Sequence, residues 1–203
     1  MSRPAILRTR PLRIVTFLLL AFLAFGAPTV ARAEGNFNFV YGQRSLDQDF
    51  WDPTDDQTVL GGTLEFGGKD WPVHIAVGYY KSDDDGTLNS FPILGSVDLD
   101  AEVSEWSLGV HKVWKAGIVR PYVGGGISFV STDADVTSNL GSLSDDDDTT
   151  GVYVQGGVFW RLGEWFNLGF DARLLEGTGV TLFDMDGDAD YWQVGALVGF
   201  GWP

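Results

Sequence analysis

The chain has no cysteine, which excludes disulfides and also the lipid-acceptor cysteine of a bacterial lipoprotein. Basic residues are scarce, 13 Lys and Arg against 28 Asp and Glu, and there are only two histidines. No segment of residues 34–203 carries the 3.6-residue period of an amphipathic helix. An acidic chain of this kind repels nucleic acid and anionic headgroups, so neither is expected as a direct partner unless metal ions intervene.

The longest apolar run, 14–25, is too short for the ~20 residues a helix needs to span a bilayer. Arg3, Arg8, Arg10 and Arg13 precede it, and Ala31 and Ala33 follow with the small side chains a signal peptidase reads. Residues 1–33 are therefore expected to be a cleaved signal peptide, with 34–203 as the mature domain. Removing its five arginines leaves eight basic residues against all 28 acidic ones, a formal charge near −20.

What the mature chain has is alternation. In 191–202 the residues Trp192, Val194, Ala196, Val198, Phe200 and Trp202 share one face. Tyr191, Gln193, Gly195, Gly199 and Gly201 share the other, interrupted only by Leu197. Strand side chains alternate sides, so this is a strand whose apolar face is expected to meet lipid. Phe166, Leu168, Phe170 and Ala172 alternate in the same way with Asn167, Gly169, Asp171 and Arg173.

Alternation and turn signals together predict eight strands, at 36–44, 58–66, 71–81, 103–114, 118–130, 152–161, 165–175 and 191–202. Short glycine-bearing turns at 67–70, 115–117 and 162–164 alternate with longer stretches at 47–57, 82–100, 131–150 and 177–190. This sorting predicts an all-β, eight-stranded antiparallel up-and-down transmembrane barrel, its acidic loops extracellular and both mature termini periplasmic. Trp71, Trp114, Trp160, Phe166 and Trp202 fall beside the short turns or the C-terminus and would form a periplasmic aromatic girdle. Tyr79 and Phe129 lie nearer the long loops.

The motifs R-P-Y-V-G-G-G at 120–126, W-R-L-G at 160–163 and F-N-L-G at 166–169, with the glycine-aromatic last strand, carry a resemblance over the mature chain. It resembles the small eight-stranded outer-membrane β-barrel proteins that share the transmembrane domain of the outer-membrane protein A type. The resemblance implies recognition by the barrel-assembly machinery through a final aromatic. Trp202 would fill that role, although Pro203 follows it. A second, peptidoglycan-binding domain is not expected.

The inward parity collects Arg44, Glu65, His74, Glu105, His111, Arg120, Arg161, Asp171 and Arg173, with Gln155, Asn167 and Gln193. An eight-stranded barrel has room only for side chains, so these charges must pair with each other and with trapped water. They read either as a satisfied polar plug or as a narrow, gated path for ions or small solutes. Hairpin arithmetic centred on the 67–70 turn sets Glu65 opposite His74, and the next turn sets His111 beside Arg120. A polar cluster of those four residues is expected at the periplasmic half.

Catalysis is not expected. His111 and Ser107 on one strand would be ~14 Å apart at ~3.4 Å per residue, beyond the reach of a nucleophile and its base. The aspartates at 83–85, 145–148 and at Asp184, Asp186, Asp188 and Asp190 resemble no ordered calcium loop, because the glycine of the last group stands in the wrong place.

The expectation is a monomeric outer-membrane protein with a structural or surface-interaction role and no cofactor or bound metal. Its partners would be outer-membrane lipid and lipopolysaccharide, with divalent cations as a bridge. A narrow pore and a soluble periplasmic barrel of lipocalin type are the alternatives.

Overall fold

A computed structural model describes residues 33–46, 56–91, 95–138, 141–182 and 185–203, without side chains at 84–100, 138–141 and 182. The expected signal peptide, apart from Ala33, and nearly all of the stretch 47–57 lie outside the described residues. The elements are β1 (Ala33–Leu46), β2 (Asp56–Gly68), β3 (His74–Phe91), β4 (Gly95–Val113), β5 (Val119–Ser138), β6 (Gly141–Leu162), β7 (Phe166–Glu176), β8 (Gly179–Leu182), β9 (Met185–Asp188) and β10 (Tyr191–Trp202). Eight of them close into a barrel in the order β1-β10-β7-β6-β5-β4-β3-β2, and β8 and β9 form a separate two-stranded sheet. Closure leaves no free edge, so every ladder can satisfy its backbone groups within the sheet.

The eight expected strands are all present, but two of the expected long loops are not loops. The stretches 82–100 and 131–150 are almost entirely strand, because β3 and β4 stay paired from His74↔His111 to Phe91↔Gly95. Likewise β5 and β6 stay paired from Val119↔Trp160 to Ser138↔Gly141. Aspartate, serine and threonine dominate there, and strand propensity yields to cross-strand pairing once a hairpin is held at its base. The stretch 177–190 folds into the small β8–β9 hairpin. At the other end, Trp71, Trp114, Ile118 and Trp165 fall just outside the strands, in or beside the turns.

The registers also differ from the hairpin arithmetic. Phe66 opposes Ile75 and Glu65 opposes Ala76, two residues from the expected pairing with His74. His111 opposes Gly124 rather than Arg120. Each slip is an even number of residues, so every side chain keeps its face. The cause is turn length: residues 69–73 all lie outside the strands. Beyond β4 an Ala116↔Val119 bridge closes a two-residue turn at Gly117 and Ile118, with Gly117 at φ 71°, where a side chain would be strained.

The two faces are chemically opposite. Outward-facing Phe39, Leu64, Leu108, Val110, Val154, Leu168, Phe170, Val194 and Val198 are all exposed. This belt is far more continuous than a water-facing surface tolerates. Tyr79 and Trp106 touch at 4.7 Å between ring centroids toward the long-hairpin end, and beyond them Lys81 and Glu102 pair at 2.9 Å. Trp71, Trp114, Trp160, Phe166 and Trp202 lie toward the short-turn end. From Trp106 to Trp114 is roughly 20 Å of height at ~3.4 Å per residue and ~40° tilt, close to the ~25 Å apolar band of a membrane barrel.

The register can be tested directly, since the chain has no native cysteine. Directly opposed residues have Cα atoms within disulfide range, and a two-residue offset takes them out of it. Phe66→Cys with Ile75→Cys should crosslink on mild oxidation and Phe66→Cys with Val73→Cys should not, read as a mobility shift on gels.

Candidate functional site: the lumen network and the acidic hairpins

Barrel shear lines the inward residues into oblique rows. One row of opposed residues runs Arg44↔Gln193, Gln193↔Arg173, Arg173↔Gln155, Gln155↔Gly124, Gly124↔His111 and His111↔His74. Charged residues far apart in sequence therefore meet inside.

Glu105 is the centre of the upper network. One of its oxygens accepts from Arg44 Nη2 at 3.0 Å and from the Tyr191 hydroxyl. The other accepts from Ser128 Oγ at 2.6 Å and from Arg173 Nη2. Arg44 also donates to Gln193 at 2.9 and 3.2 Å, and Arg173 donates to Gln155 and Tyr191, each at 2.9 Å. Aromatic faces complete the shell: the Arg44 guanidinium lies 3.8 Å from the Tyr191 ring centroid and that of Arg173 lies 3.7 Å from that of Tyr153. Asp171 accepts from Tyr122 and, at 2.7 Å, from Gln155.

A second network lies toward the short turns. Arg161 donates to Asn167 and to Asn36, both at 2.6 Å. Asn36 donates to Glu65 at 2.9 Å, and Glu65 meets His111 Nδ1 at 2.7 Å. The expected cluster of Glu65, His74, His111 and Arg120 is thus only partly assembled. Glu65 takes His111, whereas His74 turns to Glu34 at 3.3 Å, which Lys115 holds from the other side at 2.5 and 2.6 Å. Arg120 is half-buried, and its Nε has no hydrogen-bond partner. The four-residue slip at the β4–β5 turn carries it away from His111.

Glu34, Asn36, Asn38, Ser82, Ser128, Tyr80, Tyr122 and Tyr191 belong to the buried polar lining, yet the charged-residue reading passed over them. Parity would have found most of them, since Asn36 and Asn38 share a face with Arg44. Apolar residues fill the rest. Leu197, the apparent interruption in the last strand, packs inward with Tyr122 and Phe159. Leu46, Val103, Val130, Leu175 and Val180 cluster toward the long hairpins.

The acidic segments are more structured than a solvated rim. Asp190 accepts from the Thr178 backbone at 2.9 Å and its hydroxyl at 2.6 Å. Asp147 accepts from the Thr181 backbone at 2.8 Å, and Asp148 accepts from Ser131 at 2.5 Å. Asp184 lies outside the described residues. Among the described residues no group of three or more His, Asp or Glu side chains is arranged to hold a metal ion. On the outer face Glu102 opposes Asp133 and Asp133 opposes Asp146. Partial burial, then the neighbouring Glu102, Asp146, Asp135 and Asp148 charges, push the Asp133 carboxyl above its ordinary value.

The family model of the outer membrane protein β-barrel domain matches residues 17–202. Among solved structures, the N-terminal β-barrel domain of Pseudomonas aeruginosa OprF is 15% identical with a TM-score of 0.52, covering 84% of this chain and 99% of its own. Ail of Yersinia pestis, solved with the heparin analogue sucrose octasulfate, is 16% identical with a TM-score of 0.54 over 84% and 99%. A major outer membrane protein of Thermus thermophilus is 10% identical with a TM-score of 0.54 over 84% and 98%. Comparison with curated proteins gives no match.

Two outcomes follow from this geometry. Glu105→Ala should destabilise the barrel by about 3–5 kcal/mol, because two buried guanidinium groups lose their counter-charge, measured as urea unfolding in lipid vesicles. Because its folded value is raised, Asp133 favours the paired hairpin when protonated. The gain is full below the ordinary carboxylate value and is lost as pH rises through the raised one. Asp133→Asn should therefore slow proteolysis of the β5–β6 hairpin at pH 7, and its advantage over the unmodified protein at the same pH should vanish on acidification.

Proposed function

The chain belongs to the outer-membrane β-barrel family, and on that premise we propose that it is a structural or surface-interaction protein of the cell outer membrane, without catalysis. Its long hairpins face the exterior, and its short turns and both ends of the mature chain, released from a leader after Ala33, face the periplasm. The observation that carries this reading is the asymmetry of the barrel. β3–β4 and β5–β6 run well beyond the aromatic pair Tyr79 and Trp106, whereas the connections at the other end are brief.

The projecting hairpins are acidic, which bears on partners. Ail was solved with a sulfated heparin analogue, but a mature chain near −20 repels such a polyanion. Lipopolysaccharide phosphate is approached instead through divalent cations, and folding proceeds through the barrel-assembly machinery to a monomer. The pore alternative is disfavoured by Arg44, Glu105, Arg173 and Tyr191, bonded to one another across the lumen, and by the apolar cluster beyond them. The soluble lipocalin-like alternative falls with the family. Against catalysis, among the described residues neither histidine has a serine or threonine hydroxyl as its hydrogen-bond partner.

Ser144→Cys, in the β5–β6 hairpin, and Lys69→Cys, in the β2–β3 turn, test the orientation with a membrane-impermeant maleimide. On intact cells Ser144→Cys should label and Lys69→Cys should label only after lysis. The reverse pattern would overturn the proposed topology, and single-channel currents from the purified protein would favour the pore.

A further inference from the structure

The charge of the barrel is polarised along its axis. Lys69, Lys112, Lys115, Arg120 and Arg161, five of the eight basic residues in 34–203, stand at the short-turn end. Among the described residues the acids at that end are Glu34, Glu65, Asp70 and Glu164, whereas the aspartate runs lie on the long hairpins. The chain as a whole repels an anion, but the short-turn rim is outside that field, because physiological salt confines an exposed charge to a reach of about 8 Å.

The positive charge gathers at one recess. A cavity of about 260 Å³ at the β2–β3 and β4–β5 turns is lined by Lys69, Lys112 and Lys115 together with Glu34, Trp71 and Trp114. Glu34 is already engaged, by Lys115 at 2.5 and 2.6 Å and by His74 at 3.3 Å. Among the described residues the lysines paired with a carboxylate are Lys81 and Lys115, so Lys69 and Lys112 have no counter-charge. Both ammonium groups ride on flexible four-carbon stems and can turn to one anionic group without a preset geometry. Above the recess the outer wall is apolar: Val73 is exposed, Ile75 opposes Val110, and Val77 opposes Leu108. Trp71 is fixed at the boundary, its N–H donating to the Gly68 carbonyl at 2.9 Å and its indole lying where a Cβ at Gly68 would meet it at 2.8 Å.

We propose that this recess binds an anionic glycerophospholipid, its phosphodiester between Lys69 and Lys112 and its acyl chains along Val73, Ile75 and Val110. Trp71 and Trp114 stand between the two, at the level of the glycerol esters, where an indole meets both a polar and an apolar neighbour. Cation, indole and aliphatic strip thus follow one another in the order of phosphate, ester and chain along a lipid. A free phosphate would use the lysines and leave the indoles and the strip without a role. The leaflet rests on the proposed topology, which makes it the periplasmic one.

Native mass spectrometry of the protein in detergent micelles tests this, with dioleoyl phosphatidylglycerol, dioleoyl phosphatidylcholine and glycerol phosphate each offered separately. Phosphatidylglycerol should be retained in preference to phosphatidylcholine, and glycerol phosphate should not be retained. Lys69→Gln and Lys112→Gln should each weaken that binding about fivefold, the factor for one lysine at an anionic surface. Both changes are at exposed or half-exposed positions, and heat-modifiable gel mobility checks that each barrel has formed. Lys81→Gln, at the long-hairpin end, should leave lipid binding as it was. Equal retention of the two lipids, or undiminished binding when both lysines are replaced, would overturn the proposal, and glycerol phosphate binding as well as the lipid would overturn its lipid identity. Micelles have no sidedness, so a failure here is separate from a failure of the topology, which labelling of Lys69→Cys reads.

Discussion

Two buried guanidinium groups sharing one buried carboxylate is the interaction on which the interior depends. Arg44, Arg173 and Glu105 are each almost wholly excluded from solvent, and the lumen is only as wide as the side chains that fill it. Desolvating three charges costs far more than a single contact returns. The arrangement holds because Tyr191, Ser128, Gln155 and Gln193 complete the hydrogen bonds. Satisfied inside, the barrel can present an almost purely apolar face outside, and the chain needs no hydrophobic core of the ordinary kind.

The same alternation explains what could be read from the sequence. Trp192, Val194, Val198 and Phe200 announce an outer face, and Arg173, Asp171 and Asn167 announce an inner one. Every charged residue assigned inward keeps that parity, because even-numbered register slips preserve it. Exact partners were not legible. The turn after β2 is longer than its glycines suggest and the turn after β4 sits two residues further on. Glu65 therefore lost His74 to Glu34, and Arg120 lost contact with His111. Pairings depend on turn conformation, which glycine content alone does not determine.

Hairpin length was illegible for a different reason. Runs such as Ser144 to Asp148 look like loop composition, and their strand conformation comes from pairing with Ser131 to Asp135 rather than from any local preference. Carboxylates thus end up facing carboxylates across strands, with Ser131, Thr178 and Thr181 relieving some of them. The acidic character then sits on an ordered projection rather than a diffuse rim. A surface of that charge is ill suited to polyanions.

The central claim is that the apolar outer face meets lipid between two aromatic rings. All seven tryptophans in the described segments face outward or lie in turns, so depth-dependent quenching by brominated lipids reads the claim directly. Emission should be quenched strongly by bromines near the headgroup end of the acyl chains and weakly by bromines at their termini. Emission that no brominated lipid quenches, or that chain-terminal bromines quench most, would contradict it.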